Sequence, residues 1–314
     1  MKISVVIPTM NRRSSLLHTM DEIRKTEVKP DEVIIVDQTQ DEEERKKITE
    51  RLNAIHDLTI RYIYSEILSL TKARNIGLQA ASNDIIVCMD DDIELEQHIF
   101  RTIKKYFHHQ KLALIAGLDE YSRGHNSKLS FLIGTRSWKK RNRGHITKSM
   151  LGKYPDYDMI NKVVPTEWAM GYFFVVRKSL VEKWKLQWDE KLTGYAYAED
   201  LDFSAQYCEC AKKNGMYCIL TPKVKVKHLA SKEYRIPSKE AIYKYVINRD
   251  YIYYKLYRNR FSRLILDYTN VCMLFRKLLL KEGAKEYIGA LICSIQCRKY
   301  IKQGDLSQIT SRYQ

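Results

Sequence analysis

The first hundred residues alternate between short apolar runs and longer segments whose apolar positions recur at helical spacing. ISVVIP (3–8), DEVIIVD (31–37) and DIIVCMD (84–90) are nearly continuous apolar runs, and LTIRYIYS (58–65) alternates apolar with polar. Between them, NRRSSLLHTMDEIRKT (11–26) carries Leu16, Leu17, Met20 and Ile23 at helical intervals, and DEEERKKITERLNAI (41–55) and TKARNIGLQAAS (71–82) also read as helices. The acidic start of the second helix suits the positive end of a helix dipole. Apolar strands separated by helices of about 10–15 residues predict βαβ units and a parallel sheet. A helix over 96–110 and a fifth strand over 111–119 extend the pattern.

Regularity stops at residue 120. Residues 120–162 are basic, contain Gly and show no period; a long irregular insertion in a compact domain is usually a binding loop, a lid or disorder. Order returns over 163–184, strand-like and then helical, and over 198–215, a helix ending in Asn-Gly. MYCILTP (216–222) and KVKVKHL (223–229) read as two short strands. From Ser238 to about Lys302 the chain reads as helical, with Tyr interleaved among Lys and Arg and then Leu-rich amphipathic stretches. The expected class is α/β, with a sheet domain over 1–230 and a basic helical extension over 238–304.

Composition narrows the setting. The 314 residues are 45% hydrophobic and 29% charged, ordinary values for a globular chain. A membrane span needs roughly 18 consecutive apolar residues, and YIGALICSI (287–295) has about half of that. The N-terminal apolar stretch is too short for a signal peptide and lacks a cleavage site of small residues. Seven Cys, an odd number without paired spacing, predict reduced thiols and a cytoplasmic protein; CEC (208–210) and CSIQC (293–297) read as packing residues. The net charge of +16 is unevenly placed: from Lys223 onward there are 20 Lys and Arg against 7 Asp and Glu.

Sheets of this kind bind ligands at the carboxyl ends of their strands. The first strand ends in Pro8 and Thr9, followed by Asn11 and Arg12; the second ends in Asp37; Lys72, Arg74 and Asn75 follow the third; Asp90, Asp91 and Asp92 end the fourth. Any one of these could be a solvated loop residue, but four polar strand ends in succession point to one edge. Three adjacent carboxylates offer hard oxygen ligands suited to Mg²⁺ or Mn²⁺. Alternate residues of an extended chain point the same way, so Asp90 and Asp92 can share a site that Asp91 faces away from. Glu199, Asp200 and Asp202 open a predicted helix, either as dipole complements or with one serving as a general base. His228, at the end of a basic strand, can complete a metal site or be an ordinary surface imidazole.

Taken in order, VVIPTMNR, EVIIVD, ARNIGL, VCMDDD, MGYFFVVRKSLVEKW and YAEDLDF resemble the family 2 glycosyltransferases, inverting enzymes with the GT-A fold, over about residues 1–230. The resemblance implies a Rossmann-like, mostly parallel sheet that binds a nucleotide-diphosphate sugar. It implies nucleotide contacts from Thr9, Asp37 and Arg74, with Pro8, Asn11 and Arg12 beside them. Asp90 and Asp91 would contact the ribose-diphosphate, Asp92 and His228 would hold Mn²⁺ or Mg²⁺, Asp200 would be the general base and Glu199 an acceptor contact. After the second strand the family often reads VDDGSTD, whereas this chain reads VDQTQDE and keeps Asp37. The register of the metal motif within the triple Asp stays open between neighbouring residues. Residues 120–162 and Trp168 are the expected acceptor contact and lid.

The resemblance and the basic tail together imply transfer of a hexosyl or N-acetylhexosaminyl group from a nucleotide-diphosphate sugar, with a UDP-sugar as the expected donor. The acceptor would be a glycan or lipid-linked hydroxyl in cell-surface polysaccharide assembly at the inner face of the membrane. Residues 239–304 fit an interfacial membrane contact, a cap on the domain or a homo-oligomer surface. Basic charge alone also fits nucleic acid, which is disfavoured because no nucleic-acid motif accompanies it. A sugar-nucleotide pyrophosphorylase would require a Gly-rich loop after the first strand, where this chain has PTMNR.

Overall fold

The computed structural model describes all residues except 122–127, 141, 157–158, 195, 232, 234–236, 311 and 313–314. The predicted alternation is present: β1 (Ile3–Thr9), α1 (Arg13–Lys25), β2 (Glu32–Asp37), α2 (Glu42–Asn53), β3 (Ile60–Tyr64), α3 (Leu70–Ala80) and β4 (Ile85–Met89). The Asp41 side chain caps α2 by accepting from the backbone N–H groups of Glu43 and Glu44, two of the donors that a helix start leaves unpaired. β5 (Ile93–Leu95), α4 (Ile99–Phe107) and β6 (Leu112–Asp119) follow.

Among the described residues nine strands form one sheet in the order β3-β2-β1-β4-β10-β6-β11-β5, where β10 is Phe173–Arg177 and β11 is Tyr217–His228; β9 (Val164–Pro165) pairs with β11. β1, β2, β3 and β4 are mutually parallel, as are β6 and β11, while β10 lies antiparallel between β4 and β6. The direction of strand addition reverses between β1 and β4, and ligand crevices form at the carboxyl ends of strands where this happens. Alternate side chains divide between the two faces. Val5, Val87 and Val175 join one core, and Val6, Ile86, Cys88 and Phe174 the other, which explains why the strands read as continuous apolar runs.

Two expectations change. MYCILTP and KVKVKHL form one strand, β11, because the chain stays extended through an irregularity in register between Leu220 and Lys225; Pro222, which has no N–H to give the ladder, falls inside it. Of the segment 120–162, the described part holds α5 (Lys128–Leu132), a 3₁₀ turn (Trp138–Lys140) and a small hairpin of β7 (His145–Ile146) and β8 (Gly152–Lys153). After β10 come α6 (Lys178–Lys183) and α7 (Glu199–Lys213). All seven Cys are unpaired and five are buried.

The tail forms α8 (Ser238–Ile252), a π-helical turn (Tyr253–Tyr257), α9 (Arg260–Leu280), α10 (Ala284–Gln296), α11 (Arg298–Gln303) and α12 (Ser307–Thr310). It is packed onto the sheet domain. Ile247, Tyr251, Cys293 and Ile301 share a core with Leu192 and Ala196, and Ile252 and Leu266 share another with Met150, Trp168 and Leu201. Among the described residues no helix is long and apolar enough to cross a membrane.

The close approach of α3 to β1 generates a prediction. Gly77 of α3 is packed so tightly that a Cβ would overlap Val6, a fully buried residue whose branched side chain has little freedom to move. Gly77→Ala should therefore lower stability by about 1–3 kcal/mol despite the better helix propensity of Ala. Gln79→Ala, on the exposed side of α3, should change it by less than about 0.5 kcal/mol. Urea denaturation of both variants checks this.

Candidate active site

The Asp triplet lies between β4 and β5, and its three members face different partners. Asp91 turns inward: Thr9 donates to its Oδ2 at 2.6 Å and Arg12 Nη1 lies 2.7 Å from its Oδ1. Thr19 of α1 holds the same turn from below, donating to the Asp91 carbonyl at 2.9 Å and accepting from the Ile93 N–H at 2.9 Å. Only 2% of Asp91 is exposed, and burial pushes its carboxyl up to about 7. The structure therefore gives Asp91 to Arg12 and Thr9 instead of the cleft, correcting its expected place beside Asp90 as a donor contact; the backbone period turns it away.

Asp92 receives the second prong of Arg12 at 2.6 Å and the Ser231 N–H at 2.8 Å. β5 pairs antiparallel with the end of β11 so that His228 stands opposite Ile93. This puts His228 Nε2 3.3 Å from Asp92 Oδ1 and 4.0 Å from Asp90 Oδ2. The imidazole stacks on Tyr172 at 5.3 Å, and its backbone N–H donates to Asp119 at 3.1 Å. Burial would raise Asp92, but His228, Arg12 and the Ser231 N–H override it and hold the carboxylate well below its usual range. Ligand atoms of Asp90, Asp92 and His228 all lie within 4.8 Å of one another, and Asp92 Oδ1 is buried without a hydrogen-bond donor. Two carboxylates and an imidazole make a donor set suited to a divalent cation such as Mn²⁺.

On the other side of Asp90 stands Arg74 of α3. Its Nη1 donates to Glu199 at 2.7 Å, and its Nη2 donates to Asp90 at 3.0 Å and to the Gly171 carbonyl at 3.1 Å. Its guanidinium lies over Trp188 at 4.5 Å. Glu199 and Asp200 open α7 immediately after Ala198, which holds φ at +67°, a left-handed conformation that non-Gly residues adopt at a cost and often near functional sites. Asp200 accepts from the Gly171 N–H at 2.9 Å and from its neighbour Leu201 N–H at 2.7 Å. Gly171 must be glycine here, because a Cβ would stand 2.9 Å from Arg74 Nη2 and 3.2 Å from Asp200 Cβ. Burial, reinforced by the charge of Asp200, pushes Glu199 up to about 8; burial also raises Asp200.

These groups surround one cleft of about 430 Å³, lined by Arg74, Asp90, Glu199, Asp200 and His228 together with Asp119, Lys153 and Trp168. A larger cavity of about 710 Å³ lies at Lys140, Glu167 and Lys212 and contains none of Asp90, Glu199, Asp200 and His228, so the chemistry belongs to the smaller one. Thr9 and Arg12 form the layer behind it. Pro8 is buried within β1 opposite Val36, Asn11 is exposed at φ +56°, and Asp37 is fully buried, accepting from Tyr62 OH and the Thr39 N–H. None of these three lines the cleft. Sequence reasoning missed Asp119, which ends β6 as Asp37 ends β2 and could have been found by asking what closes every strand. It also missed Lys153, on the unpatterned segment, whose ammonium burial and the nearby Arg136 and Arg249 push downward.

A model of the family described as "Glycosyl transferase family 2" matches residues 4–183. The mannosyltransferase PcManGT from Pyrobaculum calidifontis, in complex with GDP-Man and Mn²⁺, is similar at 13% identity and a TM-score of 0.57, over 94% of this chain and 75% of that one. S. aureus TarS 1-349 in complex with UDP-GlcNAc is similar at 15% identity and a TM-score of 0.55, over 99% of this chain and 90% of that one. GalNAc-T7 with UDP, GalNAc and Mn²⁺ is similar at 16% identity and a TM-score of 0.56, over 85% of this chain and 54% of that one. No curated protein matches. At these identities the likeness shows the fold, which is GT-A.

Arg74 carries the arrangement, and its removal is the sharpest structural test. Arg74→Ala leaves Glu199 and Asp90 without their cation in a buried site, which should cost about 3–5 kcal/mol. Measuring urea midpoints of Arg74→Ala beside Lys72→Ala, an exposed pair to Glu190 at 3.3 Å worth at most about 1 kcal/mol, separates the two kinds of ion pair.

Proposed function

The chain belongs to glycosyl transferase family 2, and from that premise we propose that it is an inverting transferase. It moves a hexosyl or N-acetylhexosaminyl group from a nucleotide-diphosphate sugar to a hydroxyl of a glycan or lipid-linked acceptor. The observation that carries this reading is that Asp90 and His228, which cluster with Asp92 behind them, line one cleft at the strand ends together with Glu199 and Asp200. A UDP-sugar is the favoured donor, supported by the uridine nucleotides held by TarS and GalNAc-T7, with GDP-Man in PcManGT as the contrasting case. Cell-surface polysaccharide assembly at the inner face of the membrane is the setting that the acceptor class and the basic tail favour.

Asp90, Asp92 and His228 are the residues that would hold Mn²⁺ or Mg²⁺, which when bound neutralises charge on the donor diphosphate. The chain's own residues do the rest. Asp200 removes the proton of the acceptor hydroxyl while that oxygen bonds to the anomeric carbon; the bond to the diphosphate oxygen breaks and its electron pair leaves with the diphosphate. The N–H groups of Gly171 and Leu201 fix the Asp200 carboxylate in place for this, and burial raises its proton affinity as a base requires. Glu199, held by Arg74, contacts the acceptor. Trp168, packed on Tyr154 and donating to the Lys153 carbonyl at 3.2 Å, closes the acceptor side against water, which would otherwise hydrolyse the donor.

Asp200→Asn should lower transfer by about 10²–10⁴-fold while donor and Mn²⁺ affinities stay within a factor of a few. An Asp200→Asn enzyme with normal turnover would sink the base assignment. For the metal, Asp92→Ala and His228→Ala should each weaken Mn²⁺ binding by at least about 10–100-fold, read by isothermal titration, and EDTA should abolish turnover in a screen of UDP-, GDP- and dTDP-sugars. Retained Mn²⁺ affinity in both variants would overturn the ligand set.

A further inference from the structure

α9 packs a largely polar face on the rest of the chain and leaves an apolar one exposed. Leu266, Thr269 and Asn270 are buried against the rest of the chain, whereas Phe261, Leu264, Tyr268, Val271, Phe275 and Leu279 are exposed, Leu279 at 84%. Their spacing, three or four residues at each step, puts them on one stripe running the length of a 21-residue helix. α10, packed on α9 through Tyr287 and Leu291, exposes a second stripe of Ile288, Ile292 and Ile295. Just past α5, Gly134 approaches Ile265 and Thr269 of α9, and α5 exposes Leu129 and Leu132. Exposed apolar stripes of this extent mark a docking surface.

What covers it is decided by its rim. Exposed Arg260, Arg276, Lys281, Lys285 and Lys299 occur along α9, α10 and the start of α11, where the acids include Glu282, which is exposed, and Asp267, whose carboxylate is paired to Arg263. A second copy of this chain would bring the same positive charge to the contact. An anionic surface complements it, and amphipathic helices with aromatic and aliphatic residues on one face and Lys and Arg beside them lie in the plane of a bilayer interface. Phe261 and Tyr268 supply amphipathic or aromatic side chains of the kind that settle at headgroup depth. We infer that the exposed faces of α9 and α10, with α5, form the surface by which the protein lies on an anionic lipid bilayer.

The surface also adjoins the cleft. Lys148 Nζ sits 3.8 Å over the ring of Phe261, two residues from Met150, which lines the cleft. Docking through α9 therefore brings the segment that carries Met150 toward the lipid headgroups. The inference stands on the surface alone and does not depend on the transfer reaction.

The test is flotation of the full chain with vesicles of equal parts phosphatidylglycerol and phosphatidylcholine, against vesicles of phosphatidylcholine alone. The chain should float with the anionic vesicles, and the bound fraction should fall as salt shortens the screening length from ~10 Å at 0.1 M to ~3 Å at 1 M. Phe275→Asp with Leu279→Asp should cut binding by ~10-fold or more, as should Arg276→Glu with Lys281→Glu; all four positions are at the surface, and unchanged urea midpoints confirm the fold. Flotation that ignores either pair of substitutions, equal binding to neutral vesicles, or a dimer by light scattering that Phe275→Asp converts to monomer would each overturn the assignment, the last in favour of a second copy.

Discussion

Asp90 and the adjacent pair Glu199 and Asp200, from two distant parts of the chain, crowd the cleft, and the cation that makes their company tolerable is Arg74, itself 2% exposed. Burying an ion costs several kcal/mol, and the attraction between partners offsets that only when the geometry is good and the remaining donors are satisfied. Here the planar fork of the guanidinium meets both conditions. It reaches Glu199 on α7, Asp90 after β4 and the Gly171 carbonyl ahead of β10 at 2.7–3.1 Å, and rests on Trp188. A Lys could not make these contacts at once, because an ammonium is a point charge without the fork. Four of the elements that supply the cleft are thus tied through one side chain of α3, and a Cβ at Gly171 would crowd the guanidinium and Asp200.

The second cation, Arg12, does the corresponding work for the triplet. It holds Asp91 and Asp92 together with two separate nitrogens, so that three consecutive acids can share one turn. Asp91 is taken up by the chain, leaving Asp90 and Asp92 to face His228. The cluster therefore combines a structural carboxylate with two that face His228, of which Asp90 lines the cleft. Relief of the like-charge repulsion comes from Arg12 on one side and Arg74 on the other.

Much of this was legible in local pattern. The runs ending at Thr9, Asp37 and Met89 are strands because they are buried on both faces, and the burial of Val5 and Val6 on opposite sides of β1 is what the unbroken apolar spelling encoded. The alternation of Asp90 and Asp92 was likewise readable, since it follows from the backbone period. Less legible was whatever depends on pairing across long stretches of sequence. β5 is three residues long, below any periodic signal, and only its antiparallel partnership with β11 brings His228 to Asp92. The union of 216–229 into one strand depends on two different neighbours, β6 and β5, at its two ends. Asp37 shows the converse: its place at a strand end was evident, but Tyr62 and Thr39 claim its oxygens, and a strand-end rule cannot see such partners.

The helical tail joins the same economy of cations. Arg249 of α8 is fully buried, yet it donates from Nε and Nη2 to the Ser149 carbonyl at 3.0 and 2.6 Å and from Nη1 to Asn270 at 3.0 Å. Ser149 lies in the hairpin whose neighbours Met150 and Lys153 line the cleft, and Asn270 belongs to α9. A single guanidinium therefore ties the cleft wall at Met150 and Lys153 to the helix that carries the exposed stripe, and because charge-assisted bonds in a buried site are stiff, the wall and that helix hold a set relation. The cleft, on this view, is clamped twice: Arg74 fixes its floor from within the sheet domain, and Arg249 fixes its rim from the tail. Asn270 of α9 and the Ser149 carbonyl beside the cleft thus share one buried cation through three hydrogen bonds, while the Arg74 network draws on Glu199, Asp90 and the Gly171 carbonyl.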